Sequence, residues 1–133
     1  MNRISIIVDR SMNAGQKANV AAILAGQLVK DLPGLYEASV KDKSGVTHSG
    51  VACNIVVLEA GSGQLASLAE SLKDSGMVYA VFSSLGQSLS NSYPEYAERI
   101  SQMDTSSTGI IGLGLADEDS KVKLLTKKFS LMK

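Results

Sequence analysis

The stretch that most constrains the fold of this chain runs from Ile4 to Leu32 and is typical of a buried strand, a short turn and a long helix. The apolar run from Ile4 to Val8 has the length of a strand. Further along, apolar side chains recur three and four positions apart, which is helical spacing. These positions are Ala18, Ala21, Ala22, Ala25, Val29 and Leu32. Because a strand that leads into a helix N-terminus points free backbone N–H groups at a sheet edge, we look for function first between Asp9 and Asn19.

Strand and helix patterns alternate along the rest of the chain and predict one α/β domain over residues 1–133. Further strands are predicted at residues 52–58, 77–82 and 109–115. Helices are predicted to begin near Ser62, Tyr93 and Asp117. We expect a three-layer α/β/α arrangement around a mixed, mostly parallel four-stranded core sheet.

The segments between these elements carry weaker patterns. Residues 36–49 predict a polar hairpin or a loop excursion. Residues 83–92 predict a loop or short helix, and residues 104–108 predict a loop. Gly112 and Gly114 lie inside the last predicted strand, where glycine indicates that another part of the chain packs close to the backbone.

Charge and hydropathy restrict the partners of this chain. Thirteen basic and thirteen acidic side chains cancel, so the chain as a whole does not attract nucleic acid or an anionic membrane. This counts against a nucleic-acid partner without excluding one. No apolar run approaches the ~20 residues of a membrane span and no signal-peptide pattern is present, so we expect a cytoplasmic protein without a membrane partner. Cys53 is the only cysteine and cannot form an internal disulfide.

The sequence motifs of common cofactor and metal sites are absent. His48 is the only histidine, which excludes a metal site with two histidine ligands. A catalytic dyad or triad must therefore use His48 or do without histidine. We expect neither a metal nor a cofactor. The polar, glycine-flanked surroundings of His48 leave open both a functional role and simple solvation.

Polar residues at the start of the first helix are candidates for ligand binding. Asp9 ends the first strand, and Gly15 permits close approach to the backbone. Gln16 lies in the first helical turn and shares a helix face with Asn19. The alternative is that Asn13 caps the helix and the other residues form only its solvated side.

Ser83 and Ser84, which follow the third predicted strand, are a second set of ligand-binding candidates. If this strand runs parallel to the first, both end at the same edge of the sheet. The serines would then face Asp9 and Asn19. This predicts that the Ser84 and Asn19 side chains lie within about one small ligand's width of each other.

Two regions of the sequence carry a resemblance to a known family. The first is residues 12–18, MNAGQKA, directly after the first predicted strand. The second consists of residues 112–114, the acidic residues 117–119 and the ending at 125–131. The first region resembles the Met-x-x-Gly-Lys opening of the first helix in type II peptidyl-tRNA hydrolase, the archaeal and eukaryotic type of that enzyme, and the second resembles its last strand, last helix and closing segment. The resemblance implies the fold of this hydrolase.

The chain is also similar to an uncharacterised bacterial family, a domain of unknown function, that shares the hydrolase fold. In that family an Ala-Asn step recurs in the first helix, here Ala18-Asn19, and a His-x-Gly step recurs, here residues 48–50. This likeness implies the fold and no particular activity.

The resemblance also implies an altered active site. Gln16 occupies the position of the hydrolase's motif lysine, and Lys17 is displaced by one residue. Val20 and Ile23 stand where the enzyme has glutamine and histidine. Ser84 takes the place of the carboxylate in an Asp-x-Gly-x-Thr loop. Because serine does not deprotonate water without a neighbouring base, hydrolysis by the enzyme's mechanism is disfavoured.

These observations predict a binding or accessory domain for a small molecule or a protein partner, with its site between the first helix and residues 83–88. The alternative is a hydrolase of peptidyl-tRNA or a related aminoacyl ester, in which Lys17, His48 and Ser84 take part. A third interpretation is a homo-oligomer that self-associates through the glycine-lined last strand.

Overall fold

The computed structural model describes residues 1–50, 53–89 and 91–133. Its strands are β1 (Asn2–Asp9), β2 (Val40–Lys41), β3 (Thr47–His48), β4 (Asn54–Ala60), β5 (Val78–Ser83), β6 (Ile110–Glu118) and β7 (Ser130–Leu131). Its helices are α1 (Ala14–Asp31), α2 (Ser62–Leu72), α3 (Ser84–Ser88), α4 (Tyr93–Ser101), α5 (Thr105–Thr108) and α6 (Asp119–Thr126). Within the described ranges no helix has the length and apolar content needed to cross a membrane.

Five strands form the central sheet, in the order β5-β6-β1-β4-β7. β1 and β4 are parallel, whereas β6 pairs antiparallel with both β1 and β5, and β7 pairs antiparallel with β4. The prediction of a mostly parallel, four-stranded sheet is therefore wrong in two respects, because the sheet has five strands and three of its four strand pairings are antiparallel. Its fifth strand, β7, is only two residues long and leaves no strand pattern in the sequence. β1, β4 and β5 share one direction, so Asp9 and Ser83 end their strands at the same edge, with β6 between them.

Helices cover both faces of the sheet, which gives three α/β/α layers. The buried core on the α1 side consists of Ile4, Ile6, Val8, Val20, Leu24, Leu28, Leu35 and Ala116. The core on the side of α2 and α6 consists of Ile7, Leu58, Ala60, Leu65, Leu68, Ala69, Leu72, Ile110, Leu113, Leu115, Val122 and Phe129. Residues of β1 alternate between the two cores, as the two-residue period of a strand requires.

The buried stripe of α1 differs from the predicted one. Val20, Leu24 and Leu28 are fully buried, whereas Ala18 and Ala22 are exposed. The alanine spacing matched a helix, but the larger side chains remove more apolar surface from water when they face the sheet. Bulk therefore decides which face of this alanine-rich helix is turned inward.

The glycines of β6 allow α1 to pack directly on the sheet. A Cβ atom at Gly112 would lie 2.5 Å from Val20 Cγ1 and 3.0 Å from Leu24 Cδ1. A Cβ atom at Gly114 would lie 2.9 Å from Leu28 Cδ1. The prediction of close packing at these two glycines is confirmed.

Several element boundaries also differ from those predicted. β6 continues to Glu118 because its end pairs with the start of β1, so α6 begins at Asp119 and not at Asp117. Residues 104–108, predicted as a loop, include the short helix α5, which ends at Gly109 with φ +72°. The predicted hairpin is confirmed by the antiparallel pair β2 and β3.

The two remaining boundary differences concern α2 and β4. Gly61 is the N-cap residue of α2, so Ser62 lies inside the helix and does not cap it as the spacing suggested. The predicted strand at residues 52–58 corresponds to β4, and its first predicted position, Ala52, lies outside the described residues.

We expect Gly112→Ala to destabilise the protein by about 1–3 kcal/mol, because the added methyl group overlaps Val20 and Leu24. Gly26→Ala is the matched control, since Gly26 lies in α1 and a Cβ atom there meets nothing within 4 Å. Alanine in the helix should leave stability unchanged or raise it by about 0.5–1 kcal/mol. Chemical denaturation of the two variants measures both effects; an equally tolerated Gly112→Ala would contradict the close-packing account.

Candidate functional site

A cavity of about 350 Å³ opens between α1, β5, α3 and α4. Its lining residues are Ile23, Leu24, Gln27, Ala80, Val81, Phe82, Gly86, Leu89, Tyr93 and Tyr96. The sequence predicted a site between the first helix and residues 83–88, and this cavity lies beside those elements. None of the residues predicted for the site lines it, namely Asp9, Gly15, Gln16, Lys17, Asn19, His48, Ser83 and Ser84. The volume lies at the lower end of the ~300–1,000 Å³ range of small-molecule sites.

The turn after β5 builds the outer wall of this cavity. The Ser83 hydroxyl caps α3 by accepting the Gly86 N–H at 3.1 Å. Pro94 then occupies the first turn of α4, where its missing N–H costs no helical hydrogen bond. These local features place Tyr93 and Tyr96 beside β5.

Gly86 is needed for the two aromatic rings that meet at the turn. A Cβ atom at this position would lie 2.8 Å from Phe82 Cε1 and 3.1 Å from Tyr96 Cε1. Both rings therefore pack directly against the α3 backbone. A larger residue at position 86 would force one of the rings to move.

Aromatic side chains are concentrated at this cavity. Phe82, Tyr93 and Tyr96 line it, and they are three of the chain's six aromatic residues. The Tyr93 and Tyr96 ring centroids are 6.5 Å apart, with the ring planes inclined at 46°. None of the lining residues is charged. The site is thus suited to an uncharged ligand with an aromatic or flat apolar body.

Gln27 is the amide among the lining residues. Its Nε2 donates to both carboxylate oxygens of Asp31, at 3.0 and 2.9 Å. The donor end of the amide is therefore engaged on the helix surface, and Oε1 remains as a hydrogen-bond acceptor.

Lys17 forms a buried ion pair with Glu59 of β4 at the carboxyl edge of the sheet. Each residue is only 7% exposed. The hydrogen bond from Lys17 is the main cause that lowers the pKa of Glu59, and the backbone N–H of Lys133 adds to the effect. The ammonium group of Lys17 is thus held by a carboxylate that comes from a distant part of the sequence.

The other candidates at the start of α1 have local partners. Asp9 Oδ1 accepts hydrogen bonds from the backbone N–H and the hydroxyl of Ser11, both at 2.9 Å. Asn13 and Gln16 form a capping box, with distances of 2.9 and 3.1 Å. The capping alternative for Asn13 is therefore confirmed. Gly15 and Asn19 are exposed.

His48 and Ser84 lie in different surroundings from Lys17. His48 Nε2 is 2.7 Å from Asp42 Oδ2 on the β2-β3 hairpin, and this contact is the main cause that lowers the pKa of Asp42. Ser84 donates its backbone N–H to the Gly109 carbonyl at 2.8 Å and its hydroxyl to the Thr108 carbonyl at 3.5 Å.

Among residues 1–50, 53–89 and 91–133, no side-chain hydrogen bond joins any two of the predicted site residues. The side-chain hydrogen bonds of these residues are those given above. The same ranges contain no group of three His, Cys, Asp or Glu side chains that could hold a metal ion. The predicted distance between Ser84 and Asn19 stays a prediction.

Sequence reasoning did not identify Glu59 or the aromatic lining of the cavity. Glu59 had a readable signal, because a single acid inside an apolar strand must find a cation when the strand is buried. The sequence signal for the aromatic lining was weaker. Half of the aromatic residues, namely Phe82, Tyr93 and Tyr96, lie within one short segment.

Comparisons with known proteins show the family of this chain and a solved structure of similar fold, and they leave the activity open. The family described as "Protein of unknown function (DUF2000)" matches residues 2–133. The solved structure of a protein of unknown function from Agrobacterium tumefaciens is similar, with a TM-score of 0.85 over 99% of this chain and 98% of that chain, at 16% sequence identity. At this identity the likeness establishes the fold alone. The comparison with curated proteins finds no match.

The ion pair predicts a specific pH dependence of stability. Because the folded-state pKa of Glu59 lies below its ordinary value of 4.5, the pair stabilises the fold fully above that value. This stabilisation is lost as the pH falls through the lowered pKa. We expect Glu59→Gln to be less stable than the wild type at neutral pH and to lose part of the acid sensitivity, as measured by denaturation between neutral and acidic pH.

Glu70→Gln is the matched control for this experiment. Glu70 pairs with Lys73 at 2.9 Å on the exposed side of α2, where an ion pair contributes little. The stability of Glu70→Gln should therefore fall with decreasing pH in the same way as that of the wild type. If Glu59→Gln and Glu70→Gln behave alike, the buried pair does not control the acid sensitivity.

Proposed function

The chain belongs to the DUF2000 family, and on that premise we propose that it is a binding domain for a small uncharged molecule with an aromatic or flat apolar body. The observation that carries the proposal is the cavity of about 350 Å³, in which half of the chain's aromatic residues meet. The ligand lies between α1 and the aromatic side chains of β5 and α4.

The chemistry of the lining supports a neutral ligand. A charged group placed among Leu24, Phe82 and Leu89 would lose its hydration without gaining a counter-ion. An apolar ring gains from burial and from contact with Tyr93 and Tyr96. Gln27 Oε1 offers one acceptor that orients a ligand N–H or O–H group.

The fold of type II peptidyl-tRNA hydrolase and a cytoplasmic location are also part of this proposal. The resemblance of residues 12–18 and of the C-terminal segment to the hydrolase supports the first. The lack of a membrane-spanning pattern in the sequence is compatible with the second. A protein partner and self-association are further proposals, for which light scattering at two concentrations is the first test.

Indole is a suitable probe, because the chain has no Trp and red-edge excitation of indole avoids tyrosine absorption. We expect indole to bind the full chain with a change in its emission and to raise the Tm in a concentration-dependent way. Ile23→Phe should weaken binding by about tenfold or more, because the larger ring at the cavity wall occupies the ligand volume.

Leu124→Phe is the matched control for Ile23→Phe. Ile23 is 39% exposed and Leu124 is 65% exposed, so neither substitution overpacks the core. Leu124 lies on α6 and does not line the cavity. If indole does not bind, or if it binds Ile23→Phe and Leu124→Phe with equal affinity, this cavity is not the binding site.

The second candidate function is a hydrolase of peptidyl-tRNA or a related aminoacyl ester. The buried Lys17–Glu59 pair favours it, since it brings a carboxylate to the edge of the sheet where the resemblance places chemistry. If it is correct, the wild type hydrolyses peptidyl-tRNA or a simple aminoacyl ester. Replacing Lys17, His48 and Ser84 together with Ala should then reduce the rate by at least about a hundredfold. No turnover above background, or turnover that the triple variant retains, removes this candidate.

A further inference from the structure

We propose that the ligand extends past Tyr96 into a second, hydroxyl-lined compartment, so that it is an amphipathic molecule with an aromatic body and a neutral polar end. This inference rests on the binding function proposed above. It deepens that function by specifying the chemical class of the ligand.

The second compartment has a volume of about 220 Å³ and lies between β5, α4 and the short helix α5. Its lining residues are Val81, Ser83, Tyr96, Ile100, Met103, Thr105 and Thr108. Val81 and Tyr96 line the aromatic cavity as well. On β5, Val81 packs with the core beside α2 and Phe82 packs with the core beside α1, so the two spaces lie on opposite faces of this strand. They adjoin at Tyr96, and a ligand that occupies both passes the Tyr96 ring along the outer edge of β5, the end strand of the sheet.

The polar lining of the second compartment consists of hydroxyl groups alone, with unused hydrogen-bonding capacity. Ser83 accepts the Gly86 N–H at 3.1 Å and retains its own donor. Thr108 donates to the Thr105 carbonyl at 2.8 Å and retains its acceptor capacity. Thr105 is exposed and Tyr96 is half-buried, and within the described part of the chain neither hydroxyl is hydrogen-bonded to another protein group.

This arrangement favours a neutral polar group over a charged one. No Lys, Arg, His, Asp or Glu lines the compartment, so an ionised group would enter without a counter-ion. A ligand hydroxyl or amide both donates and accepts, which matches the mixture of free donors and acceptors. The aromatic body remains in the larger cavity, beside Phe82 and Tyr93.

A series of indole-3-alkanols with one, two or three linking carbons tests this geometry on the full chain. Indole reports on the aromatic cavity alone, whereas the terminal hydroxyl of the alkanol reaches the second compartment. We expect at least one alkanol to bind about three- to tenfold more tightly than indole, as one additional hydrogen bond provides. Indole-3-propionate, with a charged end, should show no such gain.

Two substitutions remove hydroxyl groups from the compartment at nearly constant shape, namely Tyr96→Phe and Thr105→Val. Each should reduce the gain of the alkanol over indole, and the double variant should abolish it while indole still binds. The matched controls are Tyr93→Phe, since Tyr93 lines only the aromatic cavity, and Thr47→Val in the exposed hairpin. Both controls should retain the gain.

The possible outcomes separate the two proposals. If indole does not bind the wild type, the binding function and the inference based on it both fail. If indole binds but no alkanol binds more tightly, or if the double variant keeps the gain, only the second compartment is disproved. An equal gain with indole-3-propionate overturns the preference for a neutral end.

Discussion

The close packing of α1 on β6 is the contact on which the arrangement of this molecule depends. Gly112 and Gly114 remove the side chains that would hold the helix away, and Val20, Leu24 and Leu28 occupy the space that they leave. This packing fixes the depth of the helix on the sheet. Ile23, one position before Leu24, and Gln27, three positions after it, therefore lie beside β5 and form one wall of the cavity. The packing of the core therefore determines where the candidate site lies.

The Lys17–Glu59 pair fixes the other end of the same helix. A cation in the first turns of a helix is disfavoured by the helix dipole, and burial increases the cost. Glu59 offsets both effects, and its own charge is stabilised in return, as its lowered pKa indicates. Removing one partner of a buried pair leaves the other charge buried and uncompensated, which is strongly destabilising. Here the pair links α1 and β4, which are far apart in sequence.

The two candidate chemistries occupy different parts of the sheet edge. The buried charges lie beside β1 and β4, whereas the uncharged aromatic cavity and its hydroxyl-lined neighbour lie beside β5. β6 separates the two regions. Since the aromatic cavity offers space and the ion pair is already internally satisfied, the cavity is the better supported binding site. Chemistry at the ion pair would first require that the pair be opened to solvent.

The sequence by itself determined the features that depend on neighbours along the chain. The strand and helix of the opening, the cap formed by Asn13, the hairpin around Gly45 and the packing glycines of β6 were all readable, because each is set by local geometry. Only the tertiary structure decided the antiparallel position of β6, the pairing of β7, the partner of Lys17 and the inward face of α1. These depend on which distant surfaces meet, and spacing along the chain carries no information about that. The cavity belongs to the same class, because four separate elements supply its walls.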